Sequence, residues 1–166
     1  YFSKYGQKYC DECKVGQYAS DYDNNDKTKA KSCSLCPIGK HGKALIHPAN
    51  RLSASTACED CRMGKYSAAT GVVDDTGCNA CPPGKHSNKV GVNASKQCKN
   101  CGFDHFSETE AQVTCKSCIN GEYQQKRGQT SCFKCQAGEK LIHDFGTRFC
   151  GNCTPGRFSP IRGSET

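Results

Sequence analysis

Large apolar side chains do not form runs along this chain. A typical loop carries one sizeable apolar residue, such as Tyr66, inside a polar stretch that contains glycine. No window repeats its apolar positions every 3.6 residues, so the pattern predicts hardly any helix. The glycines favour tight turns. Between these turns we expect two short, irregular strands in each loop.

Cysteine pairs with two residues between them interrupt this pattern eight times. The pairs are Cys10/Cys13, Cys33/Cys36, Cys58/Cys61, Cys78/Cys81, Cys98/Cys101, Cys115/Cys118, Cys132/Cys135 and Cys150/Cys153. Three residues after the second cysteine stands a glycine in seven pairs, and Asp104 replaces it in the fifth. Such regularity indicates an internal repeat, which decides the fold before any other feature.

Two further positions recur within each repeat. Two residues after the glycine comes a planar or long side chain, which we expect to lie over a disulfide. The residues in this aromatic slot are Tyr18, His41, Tyr66, His86, Phe106, Tyr123, Lys140 and Phe158. A glycine also precedes the next pair by four residues at Gly6, Gly128 and Gly146, which predicts a second turn that closes the loop.

Composition indicates how such a chain holds together. Leu, Ile, Val and Phe number 22 of 166 residues, too few for an ordinary hydrophobic core, whereas cysteines number 16. We therefore predict a small disulfide-rich fold: an elongated tandem array of short β-hairpin and loop modules with little helix and no single core. Disulfides persist in oxidising compartments, so the protein is expected to be secreted or displayed at the cell surface.

The predicted modules share their cysteine pairs. They cover 10–36, 33–61, 58–81, 78–101, 98–118, 115–135 and 132–153, with partial repeats over 1–13 and 150–166. Because the cut falls within a repeat at both ends, we expect the sequence to be a window of a longer array.

Spacing alone does not fix the disulfide connectivity. Bonds inside each pair would be strained and reactive, as in redox enzymes, and eight of them would be hard to rationalise. Two schemes stay open: a crossed scheme that joins first to first and second to second cysteine, and a ladder, which we favour because it encloses each turn in a loop closed by its own bond. The ladder joins Cys13 to Cys33, Cys36 to Cys58, Cys61 to Cys78, Cys81 to Cys98, Cys101 to Cys115, Cys118 to Cys132 and Cys135 to Cys150, and leaves Cys10 and Cys153 for partners outside the window.

The segments CRMGKYS, CPPGKHS and CTPGRFS show the repeat most fully. On these motifs the whole chain resembles the ephrin-receptor-like cysteine-rich repeats of extracellular proteins. It is more distantly similar to single-loop modules of tumour-necrosis-factor receptors and to Cys-x-x-Cys surface antigens of protists. The resemblance implies an extracellular array that serves as a receptor stalk, a surface coat or a fibre.

Metal chemistry fits the sequence less well. Four zinc sites of four cysteines each would fit the spacing, although zinc does not require one loop signature between every pair. His41 and His86 occupy the aromatic slot and are expected to stack rather than to bind a metal. Asp74 and Asp75 lie in a glycine-bounded turn, where calcium binding is a second choice to bonds with the backbone. We predict no catalytic residue, cofactor or metal.

The formal charge of +7 is spread along the chain. Acidic polysaccharide is therefore one partner class, and self-association with neighbouring repeats or identical chains is another. No nucleic-acid partner and no membrane span are expected. Asn93 and Asn152 stand in glycosylation sequons. The leading hypothesis is a non-enzymatic structural array; the alternatives are a receptor or adhesin ectodomain and an intracellular zinc protein.

Overall fold

The computed structural model describes residues 10–22, 29–119 and 121–160. These residues form fourteen short strands, one helix and three 3-10 turns. The strands are β1 (Gln17–Tyr22), β2 (Ala30–Leu35), β3 (Lys40–Gly42), β4 (Cys58–Asp60), β5 (Lys65–Tyr66), β6 (Asn79–Ala80), β7 (Lys85–His86), β8 (Lys99–Asn100), β9 (His105–Phe106), β10 (Lys116–Ser117), β11 (Glu122–Tyr123), β12 (Phe133–Lys134), β13 (Glu139–Asp144) and β14 (Thr147–Asn152). Helix α1 covers Ala54–Ala57, and the 3-10 turns cover Pro48–Asn50, Asp75–Gly77 and Ser95–Gln97. The predicted fold of short strands and loops with little helix is confirmed.

Successive strands pair antiparallel into seven two-stranded sheets within the described residues. Four of the sheets pair only two residues on each strand; in β5 and β6, for example, Lys65 lies opposite Ala80 and Tyr66 opposite Asn79. A two-stranded hairpin of this length is at best marginally stable in water. Other interactions must therefore hold each hairpin closed.

The chain divides into two compact units, and every contact described below lies within one of them. Among the described residues, the first unit runs to Ala80 and adds Lys89–Gln97, whereas the second contains Cys81–Asn88 and the chain from Cys98 onward.

Sulfur, rather than aliphatic carbon, forms the interior of both units. Five second cysteines are completely buried: Cys36, Cys61, Cys81, Cys101 and Cys135. The other fully buried side chains include Gln124, Ser67 and Ser107, which are polar. The low content of large aliphatic residues in the sequence thus corresponds to a core built of disulfides.

Two residues of the aromatic slot lie against the next disulfide. Tyr18 packs on the buried cluster of Cys36, Ala57 and Cys58. A ring nitrogen of His41 lies within 4.8 Å of the Cys78 sulfur. In these two modules the expected packing of the slot side chain on a disulfide is confirmed.

Local sequence explains two departures from the repeat. Before α1, the Ser53 hydroxyl accepts a hydrogen bond from the Thr56 N–H and the Thr56 hydroxyl accepts one from the Ser53 N–H, which forms a capping box. Between β13 and β14, Phe145 and Gly146 both have positive φ, 44° and 79°. Two consecutive residues with positive φ make the tight hairpin turn whose twist suits two paired strands.

Candidate functional site

Seven disulfides join the second cysteine of one pair to the first cysteine of the next. The bonds are Cys13–Cys33, Cys36–Cys58, Cys61–Cys78, Cys81–Cys98, Cys101–Cys115, Cys118–Cys132 and Cys135–Cys150. Their sequence separations run from 14 to 22 residues. By chain entropy, each closed loop of this size contributes about 3 kcal/mol to stability. The structure therefore has the ladder arrangement rather than the crossed one.

Two cysteines among the described residues carry free thiols. Cys10 is exposed and Cys153 is half-buried. In the ladder, Cys10 has the place of a first cysteine and Cys153 that of a second cysteine. Their pairing with partners outside the window remains a prediction.

The disulfides indicate an oxidising, extracellular environment. Two groups of potential metal ligands occur among the described residues: His41 with Asp75 and Cys78, and Glu139 with Cys135 and Cys150. Every cysteine in these groups is disulfide-bonded. A disulfide sulfur is not a thiolate, the form in which cysteine binds zinc.

Within each unit, backbone hydrogen bonds connect several modules to the following one through the residue three after the second cysteine, here called the turn residue. Its N–H donates to a carbonyl of the next module, and its carbonyl accepts from the next second cysteine. The N–H bonds are Gly39 to Ser67, Gly84 to Ser107, Asp104 to Gln124 and Gly138 to Ser159, at 2.8 to 3.0 Å. The carbonyl bonds are Cys36 to Gly16, Cys61 to Gly39, Cys101 to Gly84, Cys118 to Asp104 and Cys153 to Gly138, at 2.8 to 2.9 Å.

A second set of bonds starts from a loop residue with positive φ, here called the return residue. Its N–H donates to the carbonyl of a second cysteine in the preceding module. These bonds are Gly71 to Cys36, Gly91 to Cys61, Ala111 to Cys81 and Gly128 to Cys101, at 2.8 to 2.9 Å. The carbonyl of the residue after the return residue accepts a second hydrogen bond, from the backbone N–H of the residue three positions after a turn residue. These carbonyls are Val72 (from Gly42), Val92 (from Ser67), Gln112 (from Ser87) and Gln129 (from Ser107). The four return residues have φ of 58 to 73°.

At Gly39 and Gly84, glycine is required by space as well as by φ. A Cβ at Gly39 would lie 2.4 Å from the Gly91 carbonyl oxygen, and one at Gly84 would lie 2.1 Å from that of Gly128. Both distances are far below van der Waals contact, and both involve backbone atoms that cannot easily move aside. The repeated glycine therefore lets two segments of backbone approach each other.

Two arginines replace the return residue where a loop lacks it. The Arg51 guanidinium donates to the Cys13 carbonyl at 2.6 Å and to that of Ile46 at 3.3 Å. The Arg148 guanidinium donates to the Cys118 carbonyl at 3.0 Å. Both acceptors are second-cysteine carbonyls, which receive a backbone N–H in the other loops. The side chains therefore reproduce a main-chain contact.

Asp104, the exception at the turn position, belongs to the same arrangement. It has φ of 55°, and its carboxylate lies 3.4 Å from the Arg148 guanidinium. The other carboxylate oxygen accepts the Gln124 N–H at 2.9 Å, which in other modules goes to a carbonyl next to the return residue. Asp104 and Arg148 thus compensate together for a missing return residue.

Sequence reasoning missed most return residues because their spacing varies. They precede the next cysteine by seven residues at Gly71 and Gly91 but by four at Ala111 and Gly128. The shared Gly-Val of Gly71 and Gly91 was a usable signal, whereas nothing in the sequence marked Ala111. Gly146 has the predicted spacing and lies in a turn, but that turn joins β13 to β14 and Gly146 is not a return residue. Gly6 lies outside the described residues.

The two glycosylation candidates differ in surroundings. Asn93 is half-buried in a turn, where its N–H donates to the Gln97 amide oxygen at 3.0 Å. Asn152 is exposed at the end of β14, opposite Glu139. Access for glycosylation is therefore better at Asn152.

Within the residues that the structure describes, no helix has the length and apolar character needed to span a bilayer. Comparison of the chain with models of known protein families and with curated proteins gave no match.

Proposed function

We propose that this chain is a non-enzymatic extracellular structural protein, built from ephrin-receptor-like repeats, that forms part of a filament, an appendage or a surface coat. One observation carries the proposal: the same backbone bonds recur between successive modules of each unit, in addition to a disulfide in every loop. Repeated contact between neighbours is the usual basis of a stable array.

The buried polar side chains support a structural role because they bond to the main chain. The Ser67 hydroxyl donates to the Ala69 carbonyl at 3.0 Å, and the Ser107 hydroxyl donates to that of Thr109 at 2.9 Å. The Gln124 amide donates to the Ser131 carbonyl at 2.8 Å. These groups fix loop conformation, which favours rigidity.

Self-association with identical chains would use Cys10 and Cys153, which have no disulfide partner among the described residues. Because Cys153 has the place of a second cysteine and Cys10 that of a first, a bond between the Cys153 of one chain and the Cys10 of an identical chain would continue the ladder. Electron microscopy of untagged, unreduced protein tests this: we expect filaments that shorten after Cys10→Ser. Monodisperse particles at every concentration would contradict polymerisation.

A second candidate, a receptor or adhesin ectodomain, is favoured by exposed aromatic side chains in the second unit. Phe145 and Phe158 are 101% and 82% exposed, and Phe133 and Phe103 are about half exposed. Exposed aromatic residues are common contact points in protein interfaces. Replacement of Phe145 and Phe158 by serine should abolish cell-surface binding on this hypothesis and leave filament formation unchanged.

A further inference from the structure

A small cleft in the first unit collects one histidine and several acidic side chains. It has a volume of about 350 Å³ and lies beside β3 and β4. The titratable residues that line it are His41, Lys43, Glu59 and Asp74. His41 and Glu59 are directly opposite each other in the β3–β4 register, so their side chains share one face of the sheet.

His41 is held in a state that suits a metal ligand. It is 7% exposed, and its Nδ1 lies 3.0 Å from the Gly42 carbonyl oxygen. A carbonyl oxygen can only accept, so Nδ1 is the donor of this bond, and in the neutral tautomer Nε2 has the lone pair. No described residue provides a hydrogen-bond partner for Nε2. Metal-binding histidines commonly have this second bond to a backbone carbonyl, which fixes the ring.

Asp75 supplies a second, independent sign of a missing cation. One of its carboxylate oxygens lies within 4.8 Å of a ring nitrogen of His41. Its Oδ2 accepts from the Lys65 ammonium at 2.7 Å, whereas Oδ1 is buried and lacks a partner among the described residues. A buried carboxylate oxygen without a partner is costly, and a bound cation would remove that cost.

The neighbouring carboxylate is ionised at neutral pH. Hydrogen bonds from the hydroxyl and the N–H of Thr76 lower the pKa of Asp74. The cleft therefore offers an imidazole nitrogen together with negatively charged oxygens. The Cys78 sulfur close by is disulfide-bonded to Cys61 and is not a thiolate ligand.

We propose that His41 and Asp75, assisted by Asp74 and Glu59, bind one divalent transition-metal ion such as Zn²⁺. Imidazole with carboxylate is a ligand set that Zn²⁺ accepts, whereas Ca²⁺ prefers oxygen alone. Ligands of one zinc ion lie about 3 to 4 Å apart, so a small side-chain adjustment brings the His41 and Asp75 atoms into range. The site is independent of the structural role and would rigidify the loop closed by Cys61–Cys78.

The chain provides a matched control at His86. This residue has the same slot in its module, and its Nδ1 lies 3.1 Å from the Val113 carbonyl oxygen. The residue opposite His86 is Lys99, whereas the residue opposite His41 is Glu59. His86 therefore has no carboxylate opposite it that could act as a second ligand, so it should not contribute to a site.

Calorimetric titration of the disulfide-intact chain with ZnCl₂ tests the proposal. All variants carry Cys10→Ser and Cys153→Ser, because free thiols bind zinc themselves. We expect one saturable site that His41→Phe weakens at least about tenfold, while His86→Phe leaves the affinity unchanged. Phenylalanine is compatible with the fold because Phe106 has the same slot.

A second measurement follows the ring directly. In the ¹⁵N spectrum, the Nε2 resonance of His41 should shift on addition of Zn²⁺, and Asp75→Asn should reduce both the shift and the affinity. No saturable binding, or equal loss of affinity in the His41 and His86 variants, would overturn the proposal. In that case the partner of the Asp75 oxygen is water.

Discussion

Two kinds of loop satisfy the same acceptor in this molecule by different means. In the loops that contain Gly71, Gly91, Ala111 and Gly128, the backbone N–H of a residue with positive φ donates to the carbonyl of a second cysteine. In the loops that contain Arg51 and Arg148, a guanidinium donates to the corresponding carbonyl. The hydrogen bond is constant, and the donor is exchangeable.

The comparison shows which feature each loop must retain. A backbone donor requires the return residue to lie directly against the preceding module. The turn residue of an earlier module must then be glycine, so that the backbone of the return residue has room. An arginine reaches from further away, so its loop can be longer and can form other structure, as α1 and the β13–β14 hairpin show. The arginine loops depend instead on a long side chain that must be ordered, which has an entropic cost.

The largest expected effect is at a glycine that faces a backbone return. Gly84→Ala would place a Cβ 2.1 Å from the Gly128 carbonyl oxygen, at a φ of 79°. Strain and overpacking together should reduce the free energy of unfolding by about 3 kcal/mol. Gly138→Ala is the matched control, since its φ is 85° but nothing lies within 4 Å; it should cost about 1 kcal/mol. Guanidinium unfolding with intact disulfides, followed by tyrosine fluorescence, measures both, and equal losses would contradict the steric argument.

The next largest effect should come from the arginine of the second unit. Arg148→Ala leaves the Asp104 carboxylate and the Cys118 carbonyl without that donor, which should cost about 2 to 3 kcal/mol. Asp104→Gly restores the usual turn residue and removes the unpaired charge. The double variant should therefore be more stable than the sum of the single losses predicts. Strict additivity in this cycle would show that the two residues do not act as a unit.

Residues that recur at fixed spacing made most of the fold predictable. The spacing of Cys-x-x-Cys and Gly-x-aromatic predicted short strands, disulfide-closed loops and little helix, because each feature depends on residues close in sequence. The aromatic slot predicted packing on a disulfide, which occurs at Tyr18 and His41, whereas the slot residue Phe158 is 82% exposed. These local rules hold for residues as different as Tyr18 and His41.

Contacts between modules were harder to predict because their donors share no residue type. Ala111 adopts a positive φ although it is not glycine. Arg148, which lies in strand β14, donates from its side chain to a carbonyl that receives a backbone N–H in other loops. The connectivity of the disulfides also stayed open, since spacing allows two schemes. The orientation of His41 depends on a hydrogen bond to the Gly42 carbonyl, which no sequence pattern reports.

A smaller effect is expected when the arginine of the first unit keeps its charge but loses its shape. The Arg51 guanidinium reaches two carbonyls, those of Cys13 and Ile46, and a lysine ammonium is a point charge without that fork. Arg51→Lys should therefore cost about 1 kcal/mol, and Arg51→Ala should cost more. Unfolding midpoints of the two variants check this order. If the lysine variant is the less stable of the two, the fork geometry is not what matters.

The smallest effect concerns acid. Burial raises the pKa of Asp75, but the hydrogen bond and charge of Lys65, with the backbone hydrogen bond and charge of Arg62, outweigh it and hold that pKa below its ordinary value of 3.8. The stabilisation is present above about pH 4 and is lost as the pH falls through the folded-state pKa; we expect less than about 1 kcal/mol.

Hydrogen exchange with a chelator present can separate the two kinds of loop. The Gly71 loop, which contains Asp75, should lose protection as the pH falls below about 4, and Asp75→Asn should remove that change. The guanidinium of Arg51 stays protonated, and its carbonyl acceptors do not titrate. The Arg51 loop should therefore keep its protection over the same range. Equal acid sensitivity in both loops would mean that the disulfide ladder, rather than the local hydrogen-bond donor, determines the free energy of opening of each loop.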